Sequence, residues 1–209
     1  MEKRILGNSG LRVSRLGLGT MTWGRDTDEH EAADQLKTFL DAGGNLIDTA
    51  AMYGDGDSER VIGGFIGSLA NREDLIIATK AGISINSGER SVNNSRSSLL
   101  SDLDKSIARL GVEYIDLWQI HTWDPMVPLE ESLSAIDQAV SSGRVRYVGV
   151  SNFSGWQLAR AATLQNPLFG KAPIISTQVE YSLLNRSIEE EVIPAAIEMN
   201  IGVLAWSPL

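Results

Sequence analysis

Short apolar segments recur at near-regular intervals along the chain. Each is nearly continuous in apolar character and too short for a helix, which is typical of strands that are buried on both faces of a parallel sheet. The pattern predicts seven such strands, at 15–19, 45–49, 74–80, 114–120, 146–151, 173–178 and 201–206.

The segments between these strands have the apolar spacing of amphipathic helices. They predict helices over 28–42, 58–70, 93–110, 129–142, 154–165 and 188–199. Two of the predicted helices carry N-terminal capping signals, Asp28 with Glu31 and Ser154 with Gln157. A glycine follows three of them, at Gly43, Gly111 and Gly143, where it favours the end of a helix.

A strand that is followed by one helix, repeated along a chain, forces parallel strands with helices outside the sheet. An open doubly wound sheet and a closed (β/α) barrel both have this alternation of strands and helices. We favour the barrel, because no G-x-G-x-x-G fingerprint follows any strand and because catalytic groups converge at the C-terminal ends of barrel strands. Polar residues stand at that end of nearly every predicted strand: Asp48, Lys80, His121, Ser151, Gln178 and Ser207.

The predicted fold is therefore α/β, a (β/α)8 TIM barrel of which this chain holds seven of the eight strands. A complete barrel usually has about 250 residues, and this chain has 209. We expect residues 1–209 to form a single barrel domain that lacks the C-terminal strand and helix.

The composition of the chain limits the classes of function that it can have. The formal net charge is −9 at pH 7, which disfavours a nucleic-acid partner because phosphate backbones are repelled. The absence of cysteine excludes disulfides, thiolate metal sites and cysteine nucleophiles, and no metal site is expected. No window has the roughly 20 apolar residues of a membrane span, and the N-terminal stretch contains no apolar run long enough for a signal peptide. We expect a cytoplasmic protein with no membrane partner.

Four strand-end groups suggest acid–base chemistry: Asp48, Tyr53, Lys80 and His121. An unperturbed tyrosine has a pKa of about 10 and is a poor acid at pH 7. A buried lysine ammonium favours the phenolate and so lowers the pKa of a neighbouring phenol, while a carboxylate keeps that lysine charged. Such a phenol can protonate a developing alkoxide, and a neutral histidine can hydrogen-bond the same oxygen.

These residues stand in stretches that resemble the aldo-keto reductase superfamily along most of the chain. The stretches are "SRLGLGTMTWG", "LIDTAAMYGDGDSERVIG", "IIATKAG", "YIDLWQIHTWDP", "SGRVRYVGVSNF", "STQVEYSLLNR" and "GVLAWSPL". Their style is similar to that of bacterial reductases related to the potassium-channel β-subunit branch.

The resemblance implies NADP(H) as cofactor, bound without a Rossmann domain, and a small-molecule aldehyde or ketone as substrate. It implies that Asp48, Tyr53, Lys80 and His121 are the catalytic tetrad, with Tyr53 as general acid. It places Trp23 and Trp123, with Tyr53 and His121, in the substrate pocket.

The resemblance also implies a set of cofactor-binding residues. Ser151, Asn152 and Gln178 would hold the nicotinamide carboxamide, and Trp206 would stack on the nicotinamide ring. Gly19, Thr20, Met21 and Asp48 would lie near the nicotinamide ribose. Ser207, Pro208 and Leu209 complete the set, with Ser207 and Leu209 at the pyrophosphate. The resemblance further implies that the rest of the cofactor-binding tail is missing from this chain.

Two alternatives stay open at this point. One is a Schiff-base aldolase with Lys80 as nucleophile, and the other is a regulatory, cofactor-sensing barrel with little turnover. The pattern does not specify the natural substrate, the choice of NADP over NAD, or the oligomeric state.

Overall fold

The computed structural model of the protein describes residues 1–86 and 88–208. Its strands are β1 (Lys3–Ile5), β2 (Arg12–Ser14), β3 (Gly17–Gly19), β4 (Leu46–Asp48), β5 (Ile76–Ala81), β6 (Ile83–Asn86), β7 (Glu89–Val92), β8 (Ile115–Ile120), β9 (Val145–Ser151), β10 (Ile174–Glu180) and β11 (Gly202–Trp206). Its α-helices are α1 (Glu29–Asp41), α2 (Asp57–Phe65), α3 (Arg96–Leu110), α4 (Leu129–Ser141), α5 (Gly155–Leu164) and α6 (Val192–Glu198). Single 3₁₀ turns lie at Tyr53–Gly56, Arg72–Asp74, Pro167–Phe169 and Ser187–Glu189.

All seven predicted strands are confirmed, and they form one parallel sheet in the order β3-β4-β5-β8-β9-β10-β11. The sheet is curled. Asp48 on β4 and Gln178 on β10 are four strand positions apart, which is about 19 Å in a flat sheet, yet their side chains are hydrogen-bonded at 2.8 Å. This curvature confirms the barrel over the open sheet. Within the described chain, β3 and β11 are the two edges of the sheet.

Two apolar layers follow from the alternation of side chains along the strands. Outward-facing residues such as Ile47, Ile77 and Trp118 pack against the helices in the larger core. Inward-facing residues fill the lower barrel in a smaller core that contains Leu46, Leu117 and their neighbours. The upper, C-terminal end of the barrel holds polar side chains instead, and it is the mouth of the site.

The helix predictions are confirmed in number, and both capping signals are used. Asp28 accepts a hydrogen bond from the Glu31 N–H, and Gln157 accepts one from the Ser154 N–H. The helix predicted over 58–70 is too long: α2 ends at Phe65, and the chain then turns so that the Gly67 N–H donates to the Ala70 carbonyl. The segment predicted over 188–199 divides into a 3₁₀ turn and the short α6.

Two antiparallel hairpins were not predicted. The β1–β2 hairpin closes the lower end of the barrel, because Leu6, Leu11 and Val13 belong to the inner core. The β6–β7 hairpin directly follows β5 and stands beside the mouth. None of the helices in the described part of the chain combines the length and apolar character that crossing a bilayer requires.

Candidate active site

The structure brings the four predicted tetrad residues together, with the Lys80 ammonium at their centre. Lys80 Nζ donates to Asp48 Oδ2 at 2.7 Å and to the Thr49 carbonyl at 2.9 Å. It also lies 3.3 Å from the Tyr53 hydroxyl and 4.9 Å from the centroid of the Tyr53 ring. One cation therefore contacts a carboxylate and a phenol at once.

The local fold explains this meeting. Asp48 ends β4 and pairs in register with Ala78 on β5, two residues before Lys80, so both side chains point into the barrel mouth. The chain then leaves β4 in a tight turn, in which the Tyr53 N–H donates to the Ala50 carbonyl. This turn returns the phenol over the end of β5.

Lys80 is charged in this setting although it is only 1% exposed. Burial lowers the pKa of a lysine, but the Asp48 carboxylate and the Tyr53 hydroxyl outweigh burial here, and the net pKa of Lys80 is raised. The amine is therefore held as an ammonium at neutral pH.

His121 completes the group from the end of β8. Its ring meets the Tyr53 ring edge to face, with centroids 6.0 Å apart. Burial, followed by the charges of Lys80 and Arg90, lowers the pKa of His121 to about 3, so the imidazole is neutral at pH 7. Its Nδ1 atom is buried and has no hydrogen-bond partner among the described residues.

A second polar group lies on the other side of the mouth. Ser151 Oγ donates to the Gln178 carbonyl at 2.9 Å, and Gln178 Nε2 donates to Asp48 Oδ1 at 2.8 Å. Asn152 Nδ2 donates to the His121 carbonyl at 3.0 Å, and Asn152 Oδ1 accepts from the Trp206 indole at 3.1 Å. This amide cluster is thus hydrogen-bonded to the tetrad at two points.

The residues expected near the ribose and the pyrophosphate lie along the same edge. Gly19 pairs with Asp48 between β3 and β4, and Met21 is 54% exposed. Thr20 is fully buried, and its hydroxyl bonds the Asp48 carbonyl and Ser58 rather than facing the cavity. Ser207 and Pro208 are exposed after β11, and Leu209 lies outside the described residues.

The two tryptophans that were predicted to line the substrate pocket lie in different environments. Trp123 is partly buried and packs edge to face against Phe153 and Trp156 in the loop that follows His121. Trp23 has no exposed surface: its indole donates to Gln35 on α1 and its ring packs on Phe65. Trp23 is therefore a core residue, because the turn after β3 directs its ring between the helices.

Sequence analysis missed a buried ion pair behind the Tyr53 turn. Glu59 on α2 is fully buried and is paired with Arg109 on α3 at 2.6 Å. A charged residue in "GDGDSERV" has the appearance of a solvated helix terminus. The helical spacing of the sequence could have indicated this burial. Glu59 and Ile62 are three positions apart, and they share the buried face of α2.

The fold and the site together define a class: a parallel barrel whose mouth presents a buried lysine that contacts an aspartate and a tyrosine, beside a neutral histidine. The model of the aldo/keto reductase family matches residues 15–209. The chain belongs to the aldo/keto reductase family, which confirms the resemblance found in its sequence.

Individual relatives agree with this assignment. The chain is 40% identical over 219 residues to the uncharacterized oxidoreductase YrpG of Bacillus subtilis, covering 100% of this chain and 67% of that protein. It is 30% identical to an aryl-alcohol dehydrogenase [NADP(+)] of Phanerodontia chrysosporium, covering 100% of this chain and 58% of that one.

Among solved structures, the thermostable aldo-keto reductase Tm1743, in complex with the inhibitor epalrestat, matches with a TM-score of 0.84 and 33% identity. The match covers 99% of this chain and 73% of that one. The chain thus spans about two thirds or less of the length of the two curated relatives.

Proposed function

We propose that the protein is an NADP(H)-dependent reductase that converts an aldehyde or ketone to the corresponding alcohol. The observation that carries this proposal is the position of Lys80 Nζ, in contact with both Asp48 and the Tyr53 hydroxyl, beside an imidazole that is neutral at pH 7. Membership of the aldo/keto reductase family supports it.

The four residues divide the proton chemistry among them. Tyr53 Oη donates a proton to the carbonyl oxygen as negative charge develops there. Lys80 stabilises the phenolate that results, and Asp48 keeps Lys80 charged and oriented. A neutral His121 donates a ring N–H to the same carbonyl oxygen, which orients the substrate without adding a second cation.

The residues at the mouth fit a nicotinamide cofactor. Ser151, Asn152 and Gln178 offer a hydroxyl and two amides, a donor and acceptor set that suits a carboxamide. Trp206 is 37% exposed beside them and offers an aromatic face. When bound, a reduced nicotinamide supplies the hydride that reduces the carbonyl carbon. The choice of NADP(H) is supported by the similarity to the Phanerodontia relative, an aryl-alcohol dehydrogenase [NADP(+)].

The environment of Lys80 argues against the Schiff-base alternative. A nucleophilic lysine needs a lowered pKa so that its free amine is populated. The pKa of Lys80 is raised, and its ammonium is held in three contacts. A regulatory barrel with little turnover differs from the reductase only in rate, so turnover decides between them.

The test is a panel of aliphatic and aromatic aldehydes and ketones, each incubated with the protein and either NADPH or NADH. We expect loss of the reduced-nicotinamide absorbance and formation of one alcohol per cofactor oxidised, with NADPH preferred. Nucleotide binding without alcohol formation across the panel would favour the regulatory barrel and contradict the proposal.

A further inference from the structure

Glu59 is a carboxylate with no exposed surface, and the proposed chemistry does not use it. A buried carboxylate is costly unless it is paired and hydrogen-bonded. Glu59 meets both conditions: Oε2 accepts from Arg109 Nε at 2.7 Å, and Oε1 accepts from the Thr79 hydroxyl at 2.6 Å. The Arg109 side chain is itself only 15% exposed.

These contacts join the two segments that carry the phenol and the amine. Glu59 lies in the first turn of α2, directly after the 3₁₀ turn that begins at Tyr53. Thr79 immediately precedes Lys80 on β5. Because side chains alternate along a strand, Lys80 faces the barrel mouth while Thr79 faces α2 and reaches Glu59. The carboxylate thus binds the strand one residue away from Lys80.

The Tyr53 turn has a backbone that needs outside support. Gly54, Asp55 and Gly56 follow one another at φ angles of 58°, 53° and 89°, all in the left-handed region. This conformation is uncommon for a residue with a side chain, such as Asp55, and such strain persists only where surrounding structure over-determines it.

Arg109, on α3, supplies that support by packing against the backbone of the turn. A Cβ atom added at Gly56 would lie 2.5 Å from Arg109 Cδ and 2.6 Å from Arg109 Nε. The Gly56 backbone therefore rests directly on the arginine that Glu59 holds. Arg109 Nη2 lies 3.3 Å from Ser106 Oγ on α3, which further fixes the guanidinium.

We propose that Glu59 and Arg109 are positioning residues that hold the Tyr53 turn against Lys80. Glu59 fixes Arg109 and the Lys80 strand, Arg109 supports the turn, and the turn sets where the phenol stands. The expected effect on turnover rests on the proposed reductase function, whereas the effect on the position of Tyr53 does not.

The test uses Glu59→Gln, which keeps the size and an acceptor for Thr79 but removes the charge that holds Arg109. The first readout is the nuclear Overhauser effect between the Tyr53 and His121 rings, whose centroids are 6.0 Å apart, measured without cofactor or substrate. We expect this signal to weaken, because its intensity falls steeply as the ring protons move apart. The second readout is kcat, which we expect to fall about 100-fold, because a displacement of about 1 Å costs that much.

A second buried ion pair provides a matched control. Arg72 Nη2 and Asp116 Oδ2 are 2.6 Å apart, with side chains 16% and 10% exposed, at the opposite end of the barrel. Asp116→Asn breaks that pair, so it should lower the stability while leaving the ring signal intact and kcat within about two-fold. Arg160→Gln, at an exposed pair between α5 and α4, should change neither readout.

Arg109→Lys provides a milder variant in case Glu59→Gln does not fold. It keeps the positive charge but removes the planar group beneath Gly56, so the ring signal should weaken and kcat should fall. A folded Glu59→Gln or Arg109→Lys protein with the wild-type ring signal and a kcat within two-fold would overturn the proposal. If the wild type does not reduce carbonyls but the ring signal of the variants is weaker than that of the wild type, the positioning role stands and the reductase function fails.

Discussion

At the scale of single residues, one cavity shifts the pKa values of two basic groups in opposite directions. Burial lowers the pKa of both Lys80 and His121. Lys80 has the Asp48 carboxylate at 2.7 Å, which reverses the effect of burial. His121 has no such anion and also feels the Lys80 charge, so its pKa falls to about 3. The site is thereby supplied with one cation and one neutral donor.

The neutral state of His121 predicts a loss of stability in mild acid. Its pKa in the folded protein, about 3, lies below the ordinary value of 6.5 that holds in the unfolded chain. Between these values the unfolded chain binds more protons, so stability falls as the pH falls. From pH 7.5 to pH 5 this single group should remove about 2 kcal/mol from the free energy of unfolding.

Urea unfolding of wild type and His121→Gln at both pH values measures this contribution. The variant should lack about 2 kcal/mol of the pH-dependent loss. His30→Gln is the control, because the His30 side chain is 92% exposed and its variant should follow the wild type. Equal pH dependence in wild type and His121→Gln would contradict the buried neutral imidazole.

At the scale of elements, α2 and α3 approach closely at Gly63. A Cβ atom added there would lie 2.7 Å from the Arg109 carbonyl and 2.9 Å from the Leu110 carbonyl. Backbone atoms at the end of α3 cannot move aside as a flexible side chain can. Gly63 therefore sets how close α2, which follows the Tyr53 turn, comes to its neighbour.

Adjacent glycines on α2 give a paired prediction. Gly63→Ala should lower the free energy of unfolding by about 2 kcal/mol through overpacking. Gly64→Ala should raise it by about 0.5 kcal/mol, because its nearest neighbour would be Glu29 Oε1 at 3.9 Å and alanine favours a helix. Thermal and urea unfolding of both variants measure the difference, and equal effects would refute the close helix contact.

The spacing of apolar residues in the sequence located the elements that pack into the core. In the part of the chain that the structure describes, the strands of the parallel sheet and the α-helices were recognised from apolar residues that recur with the period of each element. The two hairpins were not: β1 is exposed at all three positions, and β7 is exposed or half-buried throughout. Their strands are held by pairing with each other, and pairing leaves no apolar pattern in the sequence.

The same limit applies within the site. Asp48, Lys80 and His121 were predictable because they lie at the ends of neighbouring strands, where side-chain direction follows from the pleat. Tyr53 lies in the turn after β4, and its place in the tetrad was predicted from the neighbouring residues and the family resemblance. Trp23 was placed in the pocket and Glu59 was not singled out, because side-chain direction in a turn or in the first turn of a helix depends on tertiary packing. In the structure, Trp23 lies in the core and Glu59 is a buried partner of Arg109.

At the scale of the whole molecule, curvature creates the site. Asp48 bonds Lys80 from the neighbouring strand and Gln178 from the far side of the barrel, so the tetrad and the amide cluster form one hydrogen-bonded unit. The molecule carries a formal charge of −9, which opposes an anionic cofactor at long range. Under the proposed function, the affinity for the cofactor would therefore have to come from local groups at the mouth.

The most direct test of the proposed reductase compares hydride transfer in wild type, Tyr53→Phe and Tyr147→Phe by single-turnover kinetics with NADPH. Tyr147 packs with the inner core at the opposite end of the barrel and serves as the control. If Tyr53 is the proton donor, Tyr53→Phe slows alcohol formation about 100-fold or more, with NADPH affinity within about two-fold, and Tyr147→Phe reacts as the wild type does. A Tyr53→Phe protein that forms alcohol at the wild-type rate would contradict it.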